Sequence, residues 1–154
     1  MTTITLRPAT ADDRTFIDGL SPRLSGVPRP AWHDLAAMEG FQDRHMMASF
    51  AAVDGAETLV ACAQDGKRLG YIHLRPAKDG VTDEACGYIS LLATTPEAEG
   101  TGVAARLMGA AEEWARGRGF RLLSLDVFAD NKRAVEFYER RGFRSETFRM
   151  VKPL

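Results

Sequence analysis

Gly100 and Gly102 stand one residue apart where an apolar run ending at Thr95-Pro96 gives way to a helical pattern near Val103. A helix leaves its first N–H groups unpaired, and residues lacking a Cβ let ligand oxygens approach them, so residues 99–104 form a seat for an anion. A nucleoside triphosphate, a dinucleotide and the pyrophosphate of an acyl-CoA all present such an anion. A Walker-type loop needs Gly-Lys-Ser/Thr, whereas Val103 and Ala104 follow Gly102. A dinucleotide fingerprint belongs to an early βαβ unit with an acid after the next strand. Asp126 stands in such a strand, but the strands before Gly100 read as antiparallel and the glycine pair comes late in the chain.

A second group follows at residues 131–143, with the pattern N-x-x-A-x-x-F-Y-x-x-x-G-F. Asn131, Ala134 and Tyr138 fall on one helix face by their spacing. A phenol of ordinary pKa, about 10, keeps its proton at neutral pH and can give it to a departing thiolate. In order and separation, the two groups resemble the GNAT N-acetyltransferase superfamily. Residues 99–104 match its R/Q-x-x-G-x-G/A loop and residues 131–143 its tyrosine-bearing late helix.

The resemblance implies an α/β acyl-CoA N-acyltransferase fold, with a central mixed sheet of six to seven strands flanked by about four helices. It implies acetyl-CoA as cosubstrate and no metal. The amides of Gly100, Thr101, Gly102, Val103 and Ala104 are expected at the pyrophosphate. The backbone of Leu92, Ala93 and Thr94 is expected along the pantetheine arm, where a bulge splays the strand from its neighbour, and Asn131 is expected beside the arm or at the helix cap. Tyr138 is the expected general acid. A homodimer through the last strands is a family-level expectation.

Two positions depart from the pattern. Glu99 occupies a site where the family has Arg or Gln, and a carboxylate is unhelpful beside a pyrophosphate. Lys132 and Arg133 could offset it. The central strand, residues 85–95, contains no acid to take the acceptor's proton, so Glu84 at its entrance is the first candidate base and His73 the second. His33 and His45 lack a second ligand at i+3 or i+4 and are read as facing substrate or solvent.

The elements that must position these groups follow from periodicity. Residues 3–7 alternate as a first strand, and Thr10 caps a helix over 11–20. Residues 21–30 read as a loop because of three prolines and a glycine, and 32–53 as a helix divided at Gly40. Residues 58–63 and 69–75 form a hairpin about Asp65-Gly66, and 85–95 is the central strand. A helix over 100–116, a strand over 121–128, a helix over 132–141 and one or two strands over 143–152 complete the order. Residues 21–47 and 76–84 are the segments expected to choose the acceptor.

Composition fits one N-acetyltransferase domain over residues 1–154: 45% apolar and 27% charged residues, with net charge −1. The balanced charge gives no field that favours nucleic acid or an anionic membrane. No window approaches a membrane span, and Cys62 and Cys86 sit singly in apolar runs, which suits a soluble protein of the reducing cytoplasm. The sequence thus points to acetyl transfer onto a primary amine of a small molecule or peptide, by direct attack in a ternary complex. A catalytically silent acyl-CoA-binding module is the alternative, and it would draw on Glu99 and the missing strand carboxylate.

Overall fold

The computed structural model describes residues 3–154. Strand β1 is Ile4–Pro8, followed by a 3-10 turn at Ala11–Asp13 and the short helices α1 (Arg14–Gly19) and α2 (Ser21–Ser25). Then come α3 (Leu35–Ser49), β2 (Glu57–Ala63), β3 (Arg68–Lys78) and β4 (Ala85–Thr94). A 3-10 turn at Pro96–Ala98 leads into α4 (Val103–Gly117), β5 (Leu123–Ser124) and α5 (Lys132–Arg140). The sheet order is β1-β2-β3-β4-β5, with antiparallel pairing throughout except for the parallel β4–β5 contact.

The sheet separates two apolar layers. On one face, α4 buries Val103, Leu107, Met108, Ala111 and Trp114, a stripe at helical spacing, against Ile72, Leu74 and Ile89. On the other, Ile17 of α1, Leu20 at its C-terminal cap and Met46 of α3 pack against Val60, Tyr71, Leu91 and Ala93. Gly87 allows β4 and α4 to close up, since a Cβ there would meet the Trp114 ring at 2.9 Å and Leu123 at 3.0 Å.

Pairing of β3 with β4 shifts register between His73↔Leu91 and Leu74↔Ile89, leaving Ser90 as an extra residue. Strict alternation would send Ile89 and Leu92 to opposite faces. The bulge brings both to the α4 layer, while Leu91 and Ala93 face α1 and α3.

Four expectations change. The sheet has five strands rather than six or seven, because residues 144–154 are exposed and unpaired. The expected strand over 121–128 contracts to Leu123–Ser124. Residues 21–25 form a helix because Pro22 lies in its first turn, where a missing N–H costs nothing. Finally, α3 runs unbroken through Gly40, started by Asp34, whose side chain accepts from the Ala37 N–H at 2.8 Å.

Buried Asp13 fastens α1 to the sheet. Its carboxylate accepts from Arg7 at 2.7 and 2.9 Å, from Arg68 Nε at 2.6 Å and from the Thr10 N–H at 2.7 Å. The Arg7 hydrogen bonds hold its pKa far below the usual carboxylate range. A depressed folded-state pKa stabilises above the unfolded value near 4, and that contribution is lost as pH falls below it. Both arginines are partly solvated, so Asp13→Asn should cost about 2–3 kcal/mol at pH 7. Urea unfolding of both proteins at pH 7 and pH 3 checks this: the gap should narrow at pH 3, and an equal gap at both would contradict the assignment.

Candidate active site

The glycine pair has the geometry of an anion seat. Gly100 and Gly102 take φ of 74° and 89°, a region side chains resist, and Gly102 is the N-cap of α4. A Cβ built on either would meet no protein atom within 4 Å, so the space before these residues is open. Among the described residues, the N–H groups of Gly100, Gly102, Val103 and Ala104 have no backbone acceptor. Thr101 differs: its N–H and hydroxyl both return to the Ala98 carbonyl, at 3.2 and 2.5 Å, and close the turn. The structure therefore brings together four of the five expected amides and commits the fifth to the loop itself.

Upstream, β4 is paired with β3 from Ala85 to Thr94, but it touches β5 only through Gly87↔Leu123 and Tyr88↔Ser124. From Ile89 to Thr94, no strand among the described residues lies against the β5-facing edge. Leu92, Ala93 and Thr94 thus stand on an edge without a strand partner that runs into the glycine loop, as an extended pantetheine arm requires, with only the Thr94 carbonyl among these three engaged by a side chain, that of Arg23.

Glu99 does not stand alone beside the seat. It accepts from Arg23 of α2 at 3.0 Å and from Arg133 of α5, and Arg23 Nε also donates to the Thr94 carbonyl at 3.2 Å. Its carboxylate is neutralised, and two arginines are gathered at the loop.

Tyr138 packs against the α4-side core, its ring edge-on to Phe137 and Phe143 at centroid distances of 5.4 and 5.9 Å. Burial pushes its pKa up, so it stays protonated throughout the neutral range. The Asn131 side chain caps α5 through the Ala134 N–H at 3.4 Å.

Glu84 is not brought to this place. It precedes Leu92 by eight residues, roughly 26 Å along an extended strand. There it is held by Arg121 Nε at 3.1 Å and the Thr82 hydroxyl at 3.0 Å, and the Arg121 hydrogen bond lowers its pKa, which weakens it further as a base. The loop before it turns around Asp79, at that same distant end. His73 is buried beneath α3, with Nδ1 2.6 Å from the Thr58 hydroxyl and the Phe50 ring 4.7 Å away, and burial lowers its pKa.

The carboxylate at the splay is Asp126, just beyond β5. Tyr88 donates to Asp126 Oδ2 at 2.8 Å across the gap between β4 and β5. Burial and this bond raise the Tyr88 pKa, so the phenol remains the donor. The Arg75 guanidinium lies 5.0 Å over the Tyr88 ring. Nearby, His45 Nε2 is 2.7 Å from the Ser90 carbonyl at the bulge, its ring stacks on Phe41, and Phe41 meets Phe128 edge-on. The sequence signal for Asp126 is a lone acid in the run Leu123-Ser124-Leu125-Asp126-Val127, where Leu123 and Leu125 belong to the α4 layer and alternation turns Asp126 to the other face.

Residues 24–143 match the model of the Acetyltransferase (GNAT) family. The chain belongs to this family. Its enzyme class is therefore acetyl-CoA-dependent N-acetyl transfer, the activity that the family name describes. An aminoglycoside N(6')-acetyltransferase type 1 of Stenotrophomonas maltophilia is 31% identical over 106 residues, 67% of this chain and 68% of that protein. The N-alpha-acetyltransferase 30 of Schizosaccharomyces pombe is 35% identical over 97 residues, 62% of this chain and 56% of that longer protein. A solved putative acetyl transferase from Pyrococcus furiosus superposes with a TM-score of 0.75 at 24% identity, covering 99% of this chain and 100% of that one. An aminoglycoside N-acetyltransferase solved in complex with CoA gives 0.69 at 19% identity, with 100% and 95% covered. No helix among the described residues is long and apolar enough to cross a membrane.

The open seat predicts a specific defect. Gly102→Ala strains the loop by about 1–2 kcal/mol, which should lower the melting temperature by a few degrees, and by placing a methyl group at the open seat it should weaken acetyl-CoA binding about tenfold. Calorimetric titration reads this, and unchanged affinity would contradict the backbone seat.

Proposed function

We propose that this protein transfers the acetyl group of acetyl-CoA to a primary amine of a small molecule or peptide by direct attack in a ternary complex. The reading rests on one observation above all: an unpaired β4 edge joining the glycine seat at one end to the Tyr88–Asp126 pair at the other. The relatives named as an aminoglycoside N(6')-acetyltransferase and an N-alpha-acetyltransferase agree with amine acceptors in general.

Acetyl-CoA supplies an activated thioester. The amides of Gly100, Gly102, Val103 and Ala104 take its pyrophosphate, and the edge at Leu92, Ala93 and Thr94 takes the pantetheine arm, with Asn131 beside it. In this scheme Tyr138 returns a proton to the departing sulfur, its raised pKa keeping the phenol charged with that proton. Asp126, oriented by Tyr88, accepts the proton of the incoming ammonium and takes the role first expected of Glu84. Phe41, His45 and Phe128 form the acceptor's wall. Arg75 has no ion-pair partner among the described residues and a buried Nε without a hydrogen bond, which suits an acceptor carrying a negative group beside its amine. Buried, unbridged Cys62 and Cys86 accord with the cytoplasm as its compartment.

Thiol release with a broad amine panel separates this enzyme from a silent acyl-CoA-binding module, which would bind CoA and release nothing. Tyr138→Phe should lower kcat about a hundredfold while acetyl-CoA KM holds. Asp126→Asn should lower kcat/KM similarly, whereas Glu84→Gln should leave it unchanged. A fully active Tyr138→Phe protein would remove the phenol from the mechanism. Among amines that release thiol, those bearing a carboxylate should lose more kcat/KM than their amides in Arg75→Met.

A further inference from the structure

The bulge that shifts β4 also gives one of its carbonyls to α3. Ser90 is the extra residue between the pairs His73↔Leu91 and Leu74↔Ile89, and its carbonyl lies 2.7 Å from Nε2 of His45. A carbonyl only accepts, so Nε2 carries the ring proton and the neutral imidazole keeps its lone pair on Nδ1. That nitrogen has no hydrogen-bond partner among the described residues, and it is not one of the buried atoms that lack one, so its lone pair is open to solvent. The ring is fixed on its face as well. Half-buried, it stacks on Phe41 at 5.8 Å between centroids and 15° between planes, and Phe41 meets Phe128 edge-on. His73 offers nothing comparable, since it is buried and its Nδ1 is engaged with the Thr58 hydroxyl.

We propose that His45 is a second proton acceptor of the transfer, acting through Nδ1 on the amine once that amine has bonded to the acetyl carbon. This role rests on the acetyl-transfer reading. An acceptor that arrives as an ammonium loses two protons from nitrogen before it is an amide, and a single carboxylate takes only one of them. Asp126 takes the first, which frees the nitrogen lone pair for attack. When that pair forms the C–N bond the nitrogen turns cationic, and its surplus proton becomes acidic. Nδ1 of His45 takes this proton as the C–S bond breaks and its electron pair leaves on sulfur, where Tyr138 supplies a proton. Of the two protons drawn from nitrogen, one makes good the proton of Tyr138 and the other passes to water. The products are one amide, one free thiol and one solvent proton.

Position divides the two roles. In this reading the acetyl end of the arm lies where the open edge takes it up, at Leu92. Ser90, and with it the His45 ring, is two residues away, roughly 7 Å of strand. Tyr88 and the Asp126 it orients are four residues away, roughly 13 Å. A base that meets the ammonium on entry can stand at the greater distance, whereas one that acts after the C–N bond has formed must stand near the reacting carbon. The Ser90 carbonyl thus plays the part of an orienting group: it sets both the tautomer and the direction of the imidazole.

The tautomer is read directly by nuclear magnetic resonance of protein labelled with heavy nitrogen in its three histidine rings. The neutral His45 ring, assigned by its loss in His45→Gln, should carry its proton on Nε2, and a proton on Nδ1 instead would overturn the proposal. His45→Gln keeps an N–H for the Ser90 carbonyl and removes the lone pair. It should lower kcat about a hundredfold while acetyl-CoA KM and melting temperature hold. Imidazole added to this variant should restore part of the rate in proportion to its concentration, and should leave the wild type unchanged. A role limited to tying α3 to the strand predicts full activity in His45→Gln, and that result, or a lost rate that imidazole does not restore, would overturn the proposal. Wild-type protein that releases no thiol with any amine would remove the acetyl-transfer reading and this role together. Wild-type turnover beside an unimpaired His45→Gln would remove this role alone.

Discussion

The molecule is organised around a deficiency in its sheet: past Tyr88, β4 has a partner on one side only. A backbone edge in a protein interior normally finds a strand, because an unmade hydrogen bond there costs about as much as one made would contribute. Here the Ser90 bulge and the two-residue contact with β5 withhold that partner over Ile89 to Thr94. The rest of the fold tolerates the gap because the β4 side chains are still buried, with α4 covering Ile89 and Leu92 and the α1–α3 layer covering Leu91 and Ala93. An extended ligand arm is the complement of such an edge, and the glycine loop at its end is the complement of that ligand's charged terminus.

Charge near the loop follows from the same economy. Glu99 looks adverse beside a pyrophosphate when it is read in the chain alone. In three dimensions it draws Arg23 and Arg133 from two helices distant in sequence to one turn. These exposed pairs contribute little to stability. Their effect is local: they offset the charge of Glu99 and gather two guanidinium groups beside it.

Much of the fold was legible because its signals are local. Gly100, Gly102 and the Tyr138 helix reveal themselves by spacing, and the hairpin at Asp65-Gly66 by its turn residues, so the order of strands and helices follows. What escaped was non-local. Glu84 resembled a base because it stands one residue before the right strand, yet strand length carries it to the wrong end, where Arg121 holds it. Asp126 acquires its meaning only when β5 is laid parallel to β4 and Tyr88 reaches across. The final segment has clear strand chemistry, and its alternation predicts a strand that the structure does not form. A strand also needs an edge, and among the described residues of this chain none is paired with it. Proline gave a smaller lesson: in the first turn of α2 Pro22 starts a helix, where composition alone suggested a break.

The central claim is that unpaired backbone, from the β4 edge through the glycine loop, receives acetyl-CoA. Amide resonances of isotopically labelled protein during titration with CoA test it residue by residue. Shifts should concentrate at residues 92–94 and at Gly100, Gly102, Val103 and Ala104, and pantetheine lacking the pyrophosphate should move only the β4 set. Saturable CoA binding that leaves these amides unmoved would contradict the account.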